Sequence, residues 1–230
     1  MLSIIDHVRW RLLALKHTLL SVPKTVCFNL NYFKFRDAIK FPIHIHYRVK
    51  LYDMDGSIVL TSKPRFGMIS IGFPFISALS EKISKWHVTG KVVLGENVYI
   101  GTGSVIDVSK EGELYIGNNF CCGGHTTIIC SKKIEFGDGC GVSWDTLFLD
   151  TDYHKIYSLE TETIINQPKE IILGNKVWIG FKCTFLKGAK IGNECIVGAN
   201  SFVHKEIEGD NQIVGGNPAR ILKEKIRWEP

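Results

Sequence analysis

Asp150-Thr151-Asp152-Tyr153-His154 sets two carboxylates and an imidazole within five residues. In extended chain, period-two geometry puts Asp150, Asp152 and His154 on one side, where a carboxylate fixes the imidazole tautomer and the other ring nitrogen faces a ligand. An imidazole with an ordinary pKa of about 6.5 is a suitable base for a hydroxyl near neutrality. The expectation is therefore His154 as a proton acceptor, with Asp152 holding its ring. Trp144 and Asp145 stand shortly before this segment, and His125 lies in Cys121-Cys-Gly-Gly-His-Thr-Thr127. His87, His125, His154 and His204 are scattered singly, and closed-shell zinc needs three or four converging ligands, so no metal is expected.

These residues are carried by a repeat. From Leu94 the chain divides into sixes: LGENVY, IGTGSV, IGNNFC, CGGHTT, FGDGCG, VSWDTL, LGNKVW, IGFKCT, FLKGAK, IGNECI, VGANSF and VHKEIE. A helix would turn residues six apart by about 240°, so the aliphatic positions could form no stripe. Glycine at this density would also cost a helix about 1 kcal/mol per residue. Short strands joined by tight corners, three sixes to a coil, give a parallel β-helix whose stacked aliphatics form one continuous core. The pattern is broken at Ile128 to Lys133, which lacks the glycine, at Ser109 to Glu113, and at Phe120, read as a bulky corner residue. The larger break follows His154: eighteen residues on from Phe136 a coil should begin there, yet the sixes resume only at Leu173. Lys155 to Ile172 is thus read as a loop leaving the coil, and a long insertion at one corner of a repeat belongs to the binding face.

Residues 88–225 resemble the hexapeptide-repeat acyltransferases, most specifically in NKVWIGFKCTFLKGAKIGNECIVGANSFVHKEI and the exit segment IVGGNPARIL. The resemblance implies a left-handed parallel β-helix and an enzyme that transfers an acetyl group from acetyl-CoA to a carbohydrate hydroxyl in surface polysaccharide assembly. It places the catalytic base at His154, with direct attack on the thioester. It implies a homotrimer whose CoA groove lies along stacked corners near Gly180 and Ala199, lined by Trp178, with Lys205 and Arg220 toward the nucleotide phosphates. Trp144, Asp145 and His125 are then expected on the acceptor side, facing a carbohydrate or lipid-linked glycan. An N-acyltransferase of an amino-sugar nucleotide, a non-catalytic scaffold and a metal-dependent hydratase remain as alternatives, because one scaffold hosts several chemistries.

The rest of the sequence bounds these readings. The chain of 230 residues, 45% apolar and 22% charged, is long enough for a buried core without disulfide or metal staples. Its seven cysteines include no C-x-x-C and read as packing in a reducing compartment, so a cytosolic location is expected. Residues 1–90 hold 13 basic and 5 acidic side chains against 15 and 18 in residues 91–230. No nucleic-acid-binding signature accompanies that basicity, and no nucleic-acid partner is expected. Within residues 1–40, read as a helical segment, Ile4, Val8, Leu12, Leu15 and Leu19 fall at helical spacing among basic residues. Such a helix either touches an anionic membrane through residues 1–20, at the inner face, or docks on its own coils or a neighbouring subunit; docking is the expectation. Residues 41–90 are read as irregular first coils, 91–217 as the regular β-helix, and 218–230 as a C-terminal helix or tail.

Overall fold

The computed structural model describes residues 4–74 and 82–229, with side chains from Leu15 onward. The described residues wind through three sheets, of nine, seven and seven strands, in which each strand pairs with the strand three places on, except the last, Arg220–Lys223, which pairs with its immediate predecessor. Pairing is parallel along all three faces, as in Cys121–Cys122 with Gly141–Val142 on the first, Thr127–Cys130 with Leu147–Leu149 on the second, and Lys133–Phe136 with Ile171–Leu173 on the third. This is the expected parallel β-helix. Its first coil already begins at Ile43–Ile45, so the stretch 41–90 supplies two stacked turns ahead of the legible repeat.

Alternation fixes which residues point inward. Lys91–Leu94 and Lys133–Phe136 bury every second side chain, and register then stacks the buried ones. On the second face Trp86, Ile106, Ile128, Phe148, Phe185 and Val203 sit one above another. Phe120 belongs to this interior rather than to a corner. It is 1% exposed and packs edge-on against Phe136, which packs in turn against Phe148, at centroid separations of 5.0 and 4.9 Å. The ring fills the axis of the coil, which a corner assignment by hexad counting could not foresee. Cys122, Cys130, Cys140, Cys183 and Cys195 are buried free thiols, and burial pushes the Cys140 thiol up to about 11. They pack rather than react.

One corner is held by a ladder of side-chain oxygens. Asn118, Asp138, Asn175, Asn193 and Asp210 each accept the backbone N–H of the coil before, from Glu96, Asn118, Asp138, Asn175 and Asn193 at 2.6–2.9 Å. This explains the Gly-Asn and Gly-Asp pairs of the repeat, since Asx side chains satisfy corner amides that no strand reaches. The glycine is needed for clearance: a Cβ at Gly137 would lie 2.6 Å from the carbonyl carbon of Gly174.

The two ends are closed by different means. Helix α1 (Ile4–Tyr32) lies against the free edge of the first coil and presents to it a stripe of polar residues. Asn29 accepts from the Ile43 N–H and donates to the Ile43 carbonyl, Thr25 accepts from the Ile45 N–H, and Ser21 accepts from the Tyr47 N–H. The match is geometric. Four residues of helix rise about 6 Å, close to the roughly 6.6 Å spanned by two residues of strand. Phe28 completes the plug by packing edge-on against Trp86. The helix therefore docks on its own coils, yet through its polar side, and Leu15 and Leu19 remain exposed; residues 1–14 of the expected apolar stripe lie outside the described side chains. Short helix α2 (Phe35–Ala38) leads into the first coil.

At the other end the expected C-terminal helix is replaced by a strand. Arg220–Lys223 folds back antiparallel onto Ile213–Gly215 after the Gly-Asn-Pro turn, and Asn211 bonds the backbone of Ile226 in both directions. The last coil offers unpaired backbone groups, and the returning strand satisfies them, which a helix could not.

Candidate active site

The excursion from the coil runs between Leu147–Leu149 and Ile171–Leu173, so Ile171 and Ile172, counted into the loop on sequence, are already strand. Asp150 marks its exit. The carboxylate is fully buried and accepts the backbone N–H groups of Ser131, Lys132 and Lys133 at 2.7, 2.7 and 2.9 Å. It pins the corner of the preceding coil and is not available to a ligand. Tyr153 then adopts φ 60°, so the segment is bent and the single-sided Asp-x-Asp-x-His row expected for extended chain does not form.

Asp152 does not hold the imidazole either. Its carboxylate is paired with the Lys187 ammonium and accepts from Asn166 Nδ2 at 2.9 Å; these bonds, Lys187 first, hold it below the usual carboxylate range. The same Asn166 side chain donates to the His154 carbonyl at 2.7 Å and accepts from the Ile156 N–H at 2.7 Å, and the Asn166 backbone carbonyl accepts from Lys187 Nζ at 3.0 Å. Asp152, Asn166 and Lys187 thus tie both limbs of the excursion together, and a bridge between Tyr157 and Ile164 closes it further out. His154 is exposed with its main chain held, and its ring makes no hydrogen bond to any described residue. Sequence reasoning missed Lys187 and Asn166. Lys187 could have been found by coil counting, because it occupies the corner next along the stack from Asp150.

The other candidates gather at a different corner. His125 and Asp145 adopt positive φ one above the other and pair at 3.5 Å between Nδ1 and Oδ1, the His125 ring being nearly buried. Trp144 stacks on Phe181 at 6.0 Å, half-exposed, and Lys182 lies over the Phe181 ring. Gly180 and Ala199 continue this corner, where a Cβ on Gly180 would meet the Ala199 amide nitrogen at 2.6 Å. Trp178 stands on the adjoining first face, 45% exposed, with Trp228 packed beside it at 6.1 Å. Arg220 is exposed on the terminal hairpin of that face, whereas Lys205 is exposed on the corner line of His154.

The sequence-predicted residues therefore form two sets. His154, Asp152 and Lys205 lie along one edge of the second face; His125, Trp144, Asp145, Gly180 and Ala199 lie along its opposite edge, with Trp178 and Arg220 beyond. A strand of roughly 10 Å separates the two edges within one chain. His87 forms a further carboxylate–imidazole group on the outside of the second face, between Asp107 at 3.1 Å and Asp53 at 3.2 Å. Among the described residues no group of three or more His, Cys, Asp or Glu is arranged to hold a metal ion.

Residues 170–205 match the family described as bacterial transferase hexapeptide, six repeats. WbbJ of Escherichia coli K12, provisionally named a lipopolysaccharide biosynthesis O-acetyl transferase, is 26% identical over 152 residues, 61% of this chain and 77% of WbbJ. A polysialic acid O-acetyltransferase of Neisseria meningitidis is 40% identical over 105 residues, 46% of this chain and 49% of that protein. One from Escherichia coli O1:K1 is 28% identical over 124 residues, 54% and 40% of the two chains. The match thus spans about three quarters of WbbJ and half or less of the other two. The matched repeat lies within the stacked coils and Asx-bound corner described above, and through it the chain is similar to the bacterial hexapeptide transferases.

Proposed function

We propose that the protein is an acetyltransferase that moves an acetyl group from acetyl-CoA to a hydroxyl of a carbohydrate in surface polysaccharide assembly. The observation that carries this reading is His154: an exposed imidazole whose ring bonds no described residue, its main chain fixed by Asn166 at the foot of the excursion. A free imidazole on a fixed backbone can take the proton of an acceptor hydroxyl as its oxygen attacks the thioester carbonyl, with the proton passing on to the leaving thiolate. O-acetylation of glycans in the named relatives supports the hydroxyl acceptor.

The separation of the candidates onto two edges supports a site shared between copies. If the edge bearing His154 faces the corner bearing Trp144, Trp178, Gly180 and Ala199 of a neighbour, each groove is completed by two chains, and a closed threefold ring completes every groove. Flat Gly and Ala corners let a pantetheine arm approach the backbone, and the exposed indole of Trp178 offers it an apolar wall. Lys205 and Arg220 then serve the nucleotide phosphates, from the His154 edge and the first face respectively. Release of free thiol from acetyl-CoA in the presence of a panel of polysaccharides tests the reading. Transfer should fall by about 10²–10⁴ in His154→Ala; transfer by that variant at the parent rate would overturn the mechanism.

A further inference from the structure

The face of α1 turned away from the coils is apolar. Its inward stripe is His17, Ser21, Thr25, Phe28 and Asn29, so the opposite side points outward along the coil axis. There Leu15, Leu19, Val22 and Leu30 are 55, 62, 49 and 48% exposed. In the sequence, Ile5, Val8 and Leu12 continue this stripe at the same spacing. Beside it opens a cavity of about 270 Å³ between α1 and the first face, lined by Val22, Val26, Phe41, Phe66 and Phe73 among others, and Phe66 at its rim is 73% exposed. The terminal unit of a stacked repeat keeps it soluble by showing water a polar outer face. Here that arrangement is reversed, with polar side chains inside and leucines outside. An apolar stripe along a helix of this length is an interaction surface.

Charge selects its partner. Residues 1–50 carry nine Lys and Arg against two acids, Asp6 and Asp37. Of these basic residues, Lys16, Lys34 and Arg36 form no ion pair with any described residue. A second copy joined end to end would press two such basic surfaces together. Side-by-side neighbours would meet through their flanks and leave this end uncovered. We infer that the outward face of α1 docks on an anionic lipid bilayer, its leucines entering the headgroup boundary and the surrounding lysines and arginines meeting lipid phosphates. No described helix is long and apolar enough to cross a membrane, so the contact is a lateral one. The inference is independent of the acetyl-transfer reading, because it concerns the opposite end of the coil from the last repeats and is read without turnover.

The test is co-sedimentation of the full chain with vesicles of phosphatidylglycerol and phosphatidylcholine, compared with vesicles of phosphatidylcholine alone. Binding should favour the anionic vesicles and weaken as salt is raised. Leu15→Glu combined with Leu19→Glu should lower it at least about tenfold, and Lys16→Glu combined with Arg36→Glu by about tenfold or more. These positions are exposed, so circular dichroism and melting temperature should stay at parent values and exclude misfolding. Failure of the parent protein to bind anionic vesicles overturns the inference. So does equal binding by parent and leucine variant. A concentration-dependent doubling of mass that Leu19→Glu abolishes, without vesicle binding, overturns it in favour of a second copy.

Discussion

The Lys187 ammonium holds the Asp152 carboxylate, and the histidine two residues further on keeps both ring nitrogens unbound by the described chain. Asp152 acts on the excursion and only through it on His154. Lys187→Met should therefore lower kcat about tenfold by loosening the proposed base, with little change in KM for acetyl-CoA, and Lys187→Arg should restore most of it. Replacing Asp152 by Asn should lower the rate yet leave the acidic limb of kcat/KM in place, because the carboxylate already answers to Lys187. The pH–rate profiles of the two variants check this, and a limb that moves down in pH with Asp152→Asn would restore a direct Asp152–His154 contact.

Asp150 makes a structural prediction with a different readout. Its two oxygens receive three backbone N–H groups in a fully buried corner. Asp150→Asn turns an amide donor toward at least one of those donors, and losing charge-assisted bonds there should cost about 2–3 kcal/mol. Denaturant unfolding should show the loss.

Trp178 and His154 should separate in kinetics. If the proposed groove is right, Trp178→Ala removes a wall for the pantetheine arm that serves ground and transition states alike, so KM for acetyl-CoA should rise while kcat is retained within a few-fold. Steady-state kinetics with saturating acceptor measures the split. A large fall in kcat alone would place the indole at the reacting atoms instead.

Acid should loosen the α1 cap. His46 is fully buried, accepts from the Arg48 N–H at 3.4 Å through Nδ1, and so donates through Nε2 to His17 Nδ1 at 3.3 Å. Burial first, then the neighbouring His17, Arg48 and Lys24, push its pKa down to about 4. The unfolded chain, with a histidine near 6.5, binds the proton more readily than the folded one below that pH. The contribution is complete above pH 6.5 and is lost as pH falls toward 4, amounting to about 2 kcal/mol once partial solvent screening is allowed for. Melting temperature followed across that window should fall in the parent and fall less in His46→Gln.

The repeat made the coils legible from Leu94 onward because each hexad must place one aliphatic inward and one small residue at a corner. The first two coils were less so, since Ile43–Ile45 and Ile69–Phe73 are joined by stretches of unequal length. The excursion was visible as a missing coil, and His154 with it. Its internal bonds were not, because Lys187 is distant in sequence and adjacent only through the stack. The carboxylates misled for a related reason. Alternation assigns sides only to extended chain, and a single positive φ at Tyr153 removed that premise. At the C-terminus, Arg220–Lys223 was read as helical although its strand conformation is decided by the open edge beside it, a partner supplied by residues much earlier in the winding.

A stack of identical coils contains no instruction for where to stop, since every finished coil offers the next one the same row of amides and carbonyls. In this protein the instruction resides in Ser21, Thr25 and Asn29 at one end and in the folded-back strand at the other, and neither device depends on how many coils lie between. Length is thereby decoupled from closure. A gene that gained or lost one whole winding would still encode a sealed stack, with the α1 cap and the folded-back strand simply moved closer together or further apart.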